Sequence, residues 1–151
     1  MSADFPAFEV GTRLPDLEIP LDRTTIVATA IASQDFEDVH HDPGKAQGRG
    51  TPDIFMSINS TNGFIDRYIT DWTGPSGRIR KVSLRLGVPN FPGDVMTMTG
   101  EVTAVHPAEV PGEPDGAVVK VVGRNSKGPH VTAEVVVAPY VSSSSTEGAD
   151  K

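Results

Sequence analysis

Apolar side chains occupy every other position in four separate runs along the second half of the chain. The intervening positions carry mainly Thr, Glu and basic side chains, and the runs span residues 78–88, 94–105, 117–125 and 130–140. A period of two is typical of strands, and the Pro- and Gly-containing segments between the runs are typical of turns. The pattern predicts a four-stranded antiparallel sheet with one buried and one wetter face.

The first half of the chain follows a helical period. Apolar or small side chains recur at steps of three or four, at Ile54, Ile58, Thr61, Ile65, Ile69 and Trp72. This spacing predicts one long amphipathic helix over residues 53–72, with Asp53 as its N-cap. Residues 24–33 favour a short helix opened by a Thr cap, and their β-branched side chains keep a strand open as the alternative.

The order of these elements indicates an α+β fold. A single long helix that precedes an antiparallel sheet is best buried if the sheet wraps around it, which is the arrangement of the hotdog fold. A chain of 151 residues suits one core. We expect a single domain over residues 1–141, followed by a disordered tail over residues 142–151, "SSSSTEGADK", which has little apolar surface to bury.

Charge and composition exclude several classes of function. The chain has 13 Lys+Arg against 20 Asp+Glu, a net charge of -7, which argues against nucleic acid or an anionic membrane as a partner. No apolar run approaches the roughly 20 residues of a membrane span, and the first residues do not resemble a signal peptide, so we expect a cytoplasmic protein. With no cysteine, there is no disulfide, no Cys-bound zinc and no thiol nucleophile.

The stretch "DFEDVHHDPGKAQG", residues 35–48, places four acids and two adjacent histidines in one irregular segment. Asp35 and His40 stand five positions apart in it. A carboxylate and an imidazole that hold the same water can deprotonate it and return a proton to a substrate. The ordinary alternative is an exposed acidic loop, and the spacing alone leaves both interpretations open.

Two further stretches join this one in a family resemblance. "ASQDFEDVHHD" resembles the segment of MaoC-like enoyl-CoA hydratases in which Asp, a short turn, an apolar residue and His precede the hotdog helix. "LRLGVPNFPGDVMTMTGEVTAV" resembles the entry into the sheet of the same family, and the likeness extends from about Phe8 to Tyr140. "DVHHD", "DIF", "RYITDWTGPS" and "LRLGVP" are most similar to the small catalytic subunits of actinobacterial steroid side-chain hydratases.

The resemblance implies a reaction, a pair of catalytic residues and a partner. The reaction is the addition of water to a 2-enoyl-CoA thioester, here a steroid side-chain thioester of cholesterol breakdown, with Asp35 and His40 as the catalytic pair. The partner is a second MaoC-like hotdog chain in a hetero-oligomer. Coenzyme A enters as part of the substrate, and we expect neither a separate cofactor nor a metal.

Two groups of residues are candidates for binding the substrate. Backbone N–H groups at the start of the long helix, near Asp53 and Ile54, are expected to face the thioester oxygen. Two positions depart from the usual family pattern, which has Asn where this chain has Glu37 and His-Gly where it has Asp53–Ile54. Arg78 and Arg80 begin the densest basic cluster and are candidates for the coenzyme A phosphates, although a basic strand is also a common way to protect a sheet edge.

Two other functions remain open at this point. A hotdog thioesterase would need a carboxylate on the long helix or at its start, and Asp53 and Asp66 are the candidates. A non-catalytic hotdog chain would instead stabilise an active partner.

Overall fold

The computed structural model describes residues 5–140. The disordered tail predicted for residues 142–151 lies outside the described residues. Three helices and five strands make up the described chain, together with two short 3₁₀ turns at Asp38–His40 and Gly74–Ser76. In chain order they are β1 Arg13–Pro20, α1 Arg23–Ala32, α2 Pro43–Gly48, α3 Ile58–Thr73, β2 Gly77–Leu86, β3 Val95–His106, β4 Gly116–Asn125 and β5 Gly128–Pro139.

The five strands form one antiparallel sheet in the order β1-β3-β4-β5-β2. The four strands predicted from alternation are all present, with ends within two residues of the prediction. The additional strand is β1, which the sequence pattern missed. It contains Pro15 and ends at Pro20, and its register shifts between Leu14 and Leu17, so its apolar side chains do not alternate regularly. Such prolines are tolerated because β1 is an edge strand.

Helix α3 lies against the inner face of the sheet, as the hotdog prediction requires. Thr61, Ile65 and Ile69 are buried on the helix side. On the sheet side, a Cβ atom added to Gly100 would come within 2.9 Å of Cε1 of Tyr68, so the missing side chain makes room for the tyrosine ring. The α+β hotdog arrangement is therefore confirmed, with its core between this helix and the sheet.

The predicted N-cap of the long helix is wrong by four residues. The helix begins at Ile58, and its N-cap is Ser57, whose Oγ accepts from the backbone N–H groups of Asn59 at 3.0 Å and Ser60 at 3.4 Å. Ile54 continues the apolar spacing because the segment before the helix is also buried, in a non-helical conformation. Asp53 is instead held by Arg23 through two hydrogen bonds of 2.9 and 2.7 Å.

The short helix α1 is confirmed as a helix, with a different cap from the one predicted. Asp22 precedes it, and its Oδ1 accepts from the N–H of Thr25 at 2.6 Å. Among residues 5–140, no helix is long and apolar enough to cross a membrane.

Candidate active site

Local structure brings Asp35 and His40 together. After α1 ends, Gln34 adopts a positive φ of 59°, and the N–H of Asp35 bonds back to the carbonyl of Ala30 at 2.9 Å. The 3₁₀ turn over residues 38–40 then reverses the chain, with Val39 anchored in the core. A helix end followed by a tight turn thus places two side chains that are five positions apart on the same side of the loop.

The two side chains face each other at close range. Nε2 of His40 lies 3.5 Å from Oδ2 of Asp35, and the side chains are 10% and 17% exposed. The other ring nitrogen, Nδ1, lies 2.7 Å from the carbonyl oxygen of Phe55. A carbonyl oxygen can only accept a hydrogen bond, so Nδ1 carries a hydrogen and the neutral imidazole presents a lone pair at Nε2. Nε2 and the carboxylate are then both acceptors, and one water molecule can donate to both.

Arg49 holds the outer side of this loop. Its guanidinium donates to Glu37 at 3.1 Å and forms an ion pair with Asp38 at 2.9 Å without the angle of a hydrogen bond. Glu37, which stands where the family usually has Asn, therefore points to Arg49 and not into the space between Asp35 and His40. The ion pair with Glu37 lies at the surface, where such a pair contributes at most about 1 kcal/mol.

A cavity of about 370 Å³ opens beside the imidazole. It is bounded by the approach to α3, the end of β2 and the start of β5, and its lining residues are His40, Phe55, Met56, Ile58, Leu86, Gly87, Pro89 and His130. The lining is mostly apolar, with the two imidazoles as its polar side chains. The reactive end of an apolar acyl group can enter it next to His40.

The free backbone donors of the site lie further along the chain than the sequence predicted. The N–H of Ile54 is occupied by Oδ1 of Asp53 at 2.8 Å. At the true start of α3, the N–H groups of Ser57 and Ile58 have no acceptor among residues 5–140. Ile58 also lines the cavity, so this end of α3 lies beside the space that His40 faces.

Arg78 and Arg80 are not brought to His40. Both are exposed on β2, at the opposite end of the strand from Leu86, which lines the cavity. Arg80 is the extra residue of a β-bulge opposite β5. At about 3.3 Å per residue, Arg78 lies about 26 Å along the strand from Leu86.

The sequence pattern missed His130 as a residue of the site. It is 2% exposed and lines the same cavity as His40. Nδ1 lies 2.7 Å from the carbonyl oxygen of Val88, and Nε2 lies 2.8 Å from Oγ1 of Thr61. Burial lowers the pKa of His130, which outweighs the raising effects of the Val88 bond and the charge of Asp94. The imidazole is therefore neutral at neutral pH.

A β-bulge explains why the alternation of side chains does not predict that His130 faces the cavity. Gly123 pairs with Val131 and Arg124 with Pro129, so His130 is an extra residue in β5. Strict alternation would turn position 130 away from the buried face that Val131 occupies, whereas a bulge can redirect a side chain. Only the two glycines near the strand ends, Gly123 and Gly128, signal an irregularity in the sequence.

Within the described range 5–140, no group of three or more His, Asp or Glu side chains is arranged to hold a metal ion.

Comparison with known proteins identifies the family. No protein-family model matches the chain. The 3-oxo-4,17-pregnadiene-20-carboxyl-CoA hydratase beta subunit of Mycobacterium tuberculosis is 51% identical over 127 residues, which cover 83% of this chain and 92% of that protein.

Solved structures of similar fold point to the same family. A chain in the crystal structure of the ChsH1-ChsH2 complex from Mycobacterium tuberculosis has a TM-score of 0.81 and 47% identity, covering 89% of this chain and all of that one. The (R)-hydratase from A. caviae has a TM-score of 0.75 and 25% identity, covering 87% and 97% of the two chains. Together with the hotdog fold, these likenesses show that the chain belongs to the MaoC-like enoyl-CoA hydratase family.

Proposed function

We propose that the chain is the catalytic subunit of a hydratase that adds water across the double bond of a 2-enoyl-CoA thioester. The observation that carries the proposal is the pair of acceptors formed by Asp35 and His40, 3.5 Å apart at the edge of an apolar cavity. The relative named as a pregnadiene-carboxyl-CoA hydratase subunit supports a steroid side-chain thioester as the substrate.

The chemistry follows from the hydrogen-bond roles. A water that donates one hydrogen to Asp35 and one to Nε2 of His40 has its oxygen lone pairs free to attack Cβ of the enoyl group. As the new C–O bond forms, the water loses one proton to this pair and the thioester becomes enolate-like. The same pair then supplies a proton to Cα, so that H and OH are added in total. The bond from Nδ1 to Phe55 supports His40 as the proton acceptor, because it leaves Nε2 unprotonated.

The developing charge on the thioester oxygen needs donors that are already in place. The N–H groups of Ser57 and Ile58 are unpaired within the described residues and lie at the positive end of α3. We assign the thioester oxygen to these groups in place of the sequence-based choice of Asp53 and Ile54. Donors of this kind contribute about 3 to 4 kcal/mol to transition-state stabilisation in other enzymes.

In this proposal, coenzyme A binds as part of the thioester substrate. Arg78 and Arg80 remain our candidates for its phosphates, because they are exposed and form no ion pair within residues 5–140. Their distance from the cavity along β2 means that they can serve only the far end of an extended coenzyme A, or one bound to a neighbouring subunit.

A second MaoC-like hotdog chain is the proposed partner. β2 is an edge strand, and Leu86 and Gly87 at its end line the cavity beside His40. A partner strand paired with β2 would cover the open edge and add a wall to the same cavity. The ChsH1-ChsH2 complex supports two different chains in such an assembly.

The metabolic setting follows from the same substrate. Breakdown of steroid side chains, including that of cholesterol, would supply such unsaturated acyl-CoA thioesters, so a role in lipid metabolism is part of the proposal. Because such thioesters are intracellular intermediates, a cytoplasmic location is part of the proposal.

The test separates hydration from the two alternatives. The chain, alone and with a candidate partner, is incubated with a steroid side-chain enoyl-CoA while enoyl-thioester absorbance and free thiol are recorded. Loss of absorbance without thiol release is the expected result. Thiol release would indicate a thioesterase, although Asp53 lies outside α3 and is occupied by Arg23. Activity that depends only on the partner's residues would indicate a non-catalytic chain.

A further inference from the structure

We propose that His130 is a positioning residue for the hydration reaction, which holds the amino end of α3, and with it the donors of Ser57 and Ile58, against the catalytic cavity. The inference rests on the proposed function. His130 lines the cavity, but protein groups occupy both of its ring nitrogens. It therefore acts on the reaction by positioning those groups and not by contacting the substrate.

The hydrogen bonds of His130 connect three separate parts of the fold. The residue belongs to β5, Nδ1 donates to Val88 in the loop between β2 and β3, and Nε2 meets Thr61 in the first turn of α3. Thr61 also contacts the N-cap residue, because its N–H donates to the carbonyl of Ser57 at 3.1 Å. The imidazole is thus a short connection between the sheet and the cap of α3.

A count of hydrogens determines the direction of these bonds. Nδ1 must carry a hydrogen to reach the carbonyl of Val88, so the neutral ring accepts at Nε2 from the hydroxyl of Thr61. The hydroxyl has one hydrogen, and its other possible acceptor, the carbonyl of Ser57, lies further away at 3.2 Å. A protonated ring would donate at Nε2 and turn the hydroxyl hydrogen toward Ser57, which changes the hydrogen bonding of the cap itself.

The same loop supports the approach to α3 at a second point. The N–H of Met56 donates to the carbonyl of Asn90 at 3.0 Å. Asn90 is fully buried and accepts at Oδ1 from Asn125 at 2.8 Å, so this contact is fixed to β4. Only the first support, through Val88, His130 and Thr61, depends on a side chain of the cavity wall.

Placement of these donors matters for rate more than for substrate affinity. A displacement of about 1 Å in a reacting group can lower the rate about 100-fold. Loss of the Thr61–His130 hydrogen bond should therefore reduce kcat far more than it changes KM, since the apolar side chains that line most of the cavity stay in place.

The experiment removes each partner of the Thr61–His130 hydrogen bond in turn, in the assembled enzyme. His130→Asn retains a donor near the position of Nδ1 and loses the reach to Thr61, and Thr61→Val removes the hydroxyl. We expect each to lower kcat about 10- to 100-fold at nearly constant KM, and the double variant to be no worse than either single variant. Thr61→Ser, which keeps the hydroxyl, should restore most of the rate.

A control and a second measurement keep folding and function separate. Val135→Ala removes a fully buried side chain in the middle of β5, so it should lower stability and leave kcat per folded enzyme unchanged. Amide hydrogen exchange over residues 54–62, measured relative to exchange in β4, should accelerate in His130→Asn and Thr61→Val and not in Val135→Ala.

The outcomes are distinguishable. Normal kcat and normal exchange in His130→Asn and Thr61→Val would overturn the inference even if the wild type is a hydratase. If the wild type does not hydrate the substrate, the proposed function fails, and the exchange measurement alone decides whether His130 holds the amino end of α3.

Discussion

Nε2 of His40 lies 3.5 Å from Oδ2 of Asp35, while Nδ1 of the same ring is fixed 2.7 Å from the carbonyl of Phe55. The backbone contact selects the tautomer, and the tautomer makes the facing atoms two acceptors. Neither atom can donate to the other when the ring is neutral and the carboxyl is ionised. Their arrangement suits a third group that donates to both, which is the role of the attacking water.

The catalytic pair can be tested with substitutions of similar shape. Asp35→Asn replaces one acceptor oxygen by a donor, and His40→Gln removes the imidazole base. Each should lower kcat about 100- to 10,000-fold, the usual contribution of a general acid or base, without unfolding the chain. Steady-state kinetics and circular dichroism provide the measurements.

His41→Gln is the matched control, since this neighbouring histidine is exposed and turned away from the core. It should retain nearly wild-type kcat. Full activity in either Asp35→Asn or His40→Gln would rule out our assignment of the pair.

The relocated start of α3 predicts which side chain caps it. Ser57→Ala removes the acceptor of two backbone N–H groups and should lower the free energy of unfolding by about 1 kcal/mol. Asp53→Ala loses a partly exposed ion pair with Arg23 and a hydrogen bond from the N–H of Ile54. Both lie outside the helix, so we expect the smaller effect. Urea unfolding of the two variants compares them, and the reverse order would contradict our expectation that the Ser57 cap contributes more to stability than Asp53 does.

Two glycines should respond in opposite directions to the same substitution. Gly100→Ala places a methyl group within 2.9 Å of Tyr68 and 3.3 Å of Leu14, and should lower the free energy of unfolding. An overpacked core typically loses about 1 to 3 kcal/mol. Apart from the backbone of α3 itself and the two chain neighbours, a Cβ atom at Gly63 would meet no atom within 4 Å, so Gly63→Ala should stabilise the helix by up to about 1 kcal/mol. Thermal unfolding checks both signs, and a stabilising Gly100→Ala would contradict the packing of α3 on β3.

The buried imidazole of His130 predicts a pH dependence of stability. Burial holds its pKa below the ordinary value, so the unfolded chain binds a proton at a higher pH than the folded chain does. The folded state is therefore favoured above about pH 6.5 and loses this advantage as the pH falls below it, by at most about 1.4 kcal/mol per pH unit.

Urea unfolding between pH 7.5 and 5 provides the measurement. His130→Gln cannot titrate, and its stability should fall less steeply with decreasing pH than that of the wild type. Val135→Ala removes no titratable group and should keep the wild-type slope. Equal slopes in His130→Gln and the wild type would show that this histidine is not held neutral by the fold.

The regular elements were largely predictable because their physics is local. The buried alternation at Met96, Met98 and Val102 identified β3, and the spacing of Thr61, Ile65 and Ile69 identified α3. β1 was missed because its prolines and register shift interrupt the alternation. The start of α3 was misplaced because Ile54 is buried by a non-helical segment, and hydrophobic spacing does not distinguish the two conformations.

The sequence by itself determined the fold class, the family and the loop that carries Asp35 and His40, since periodicity and short motifs depend only on residues close together in the chain. Tertiary structure alone decided which backbone donors are free, that Arg78 and Arg80 lie at the far end of β2, and that His130 faces the cavity. These facts depend on hydrogen bonds and bulges between segments 15 to 69 residues apart, such as those of His40 with Phe55 and of Thr61 with His130. The geometry of such contacts is set only when the sheet closes on its helix.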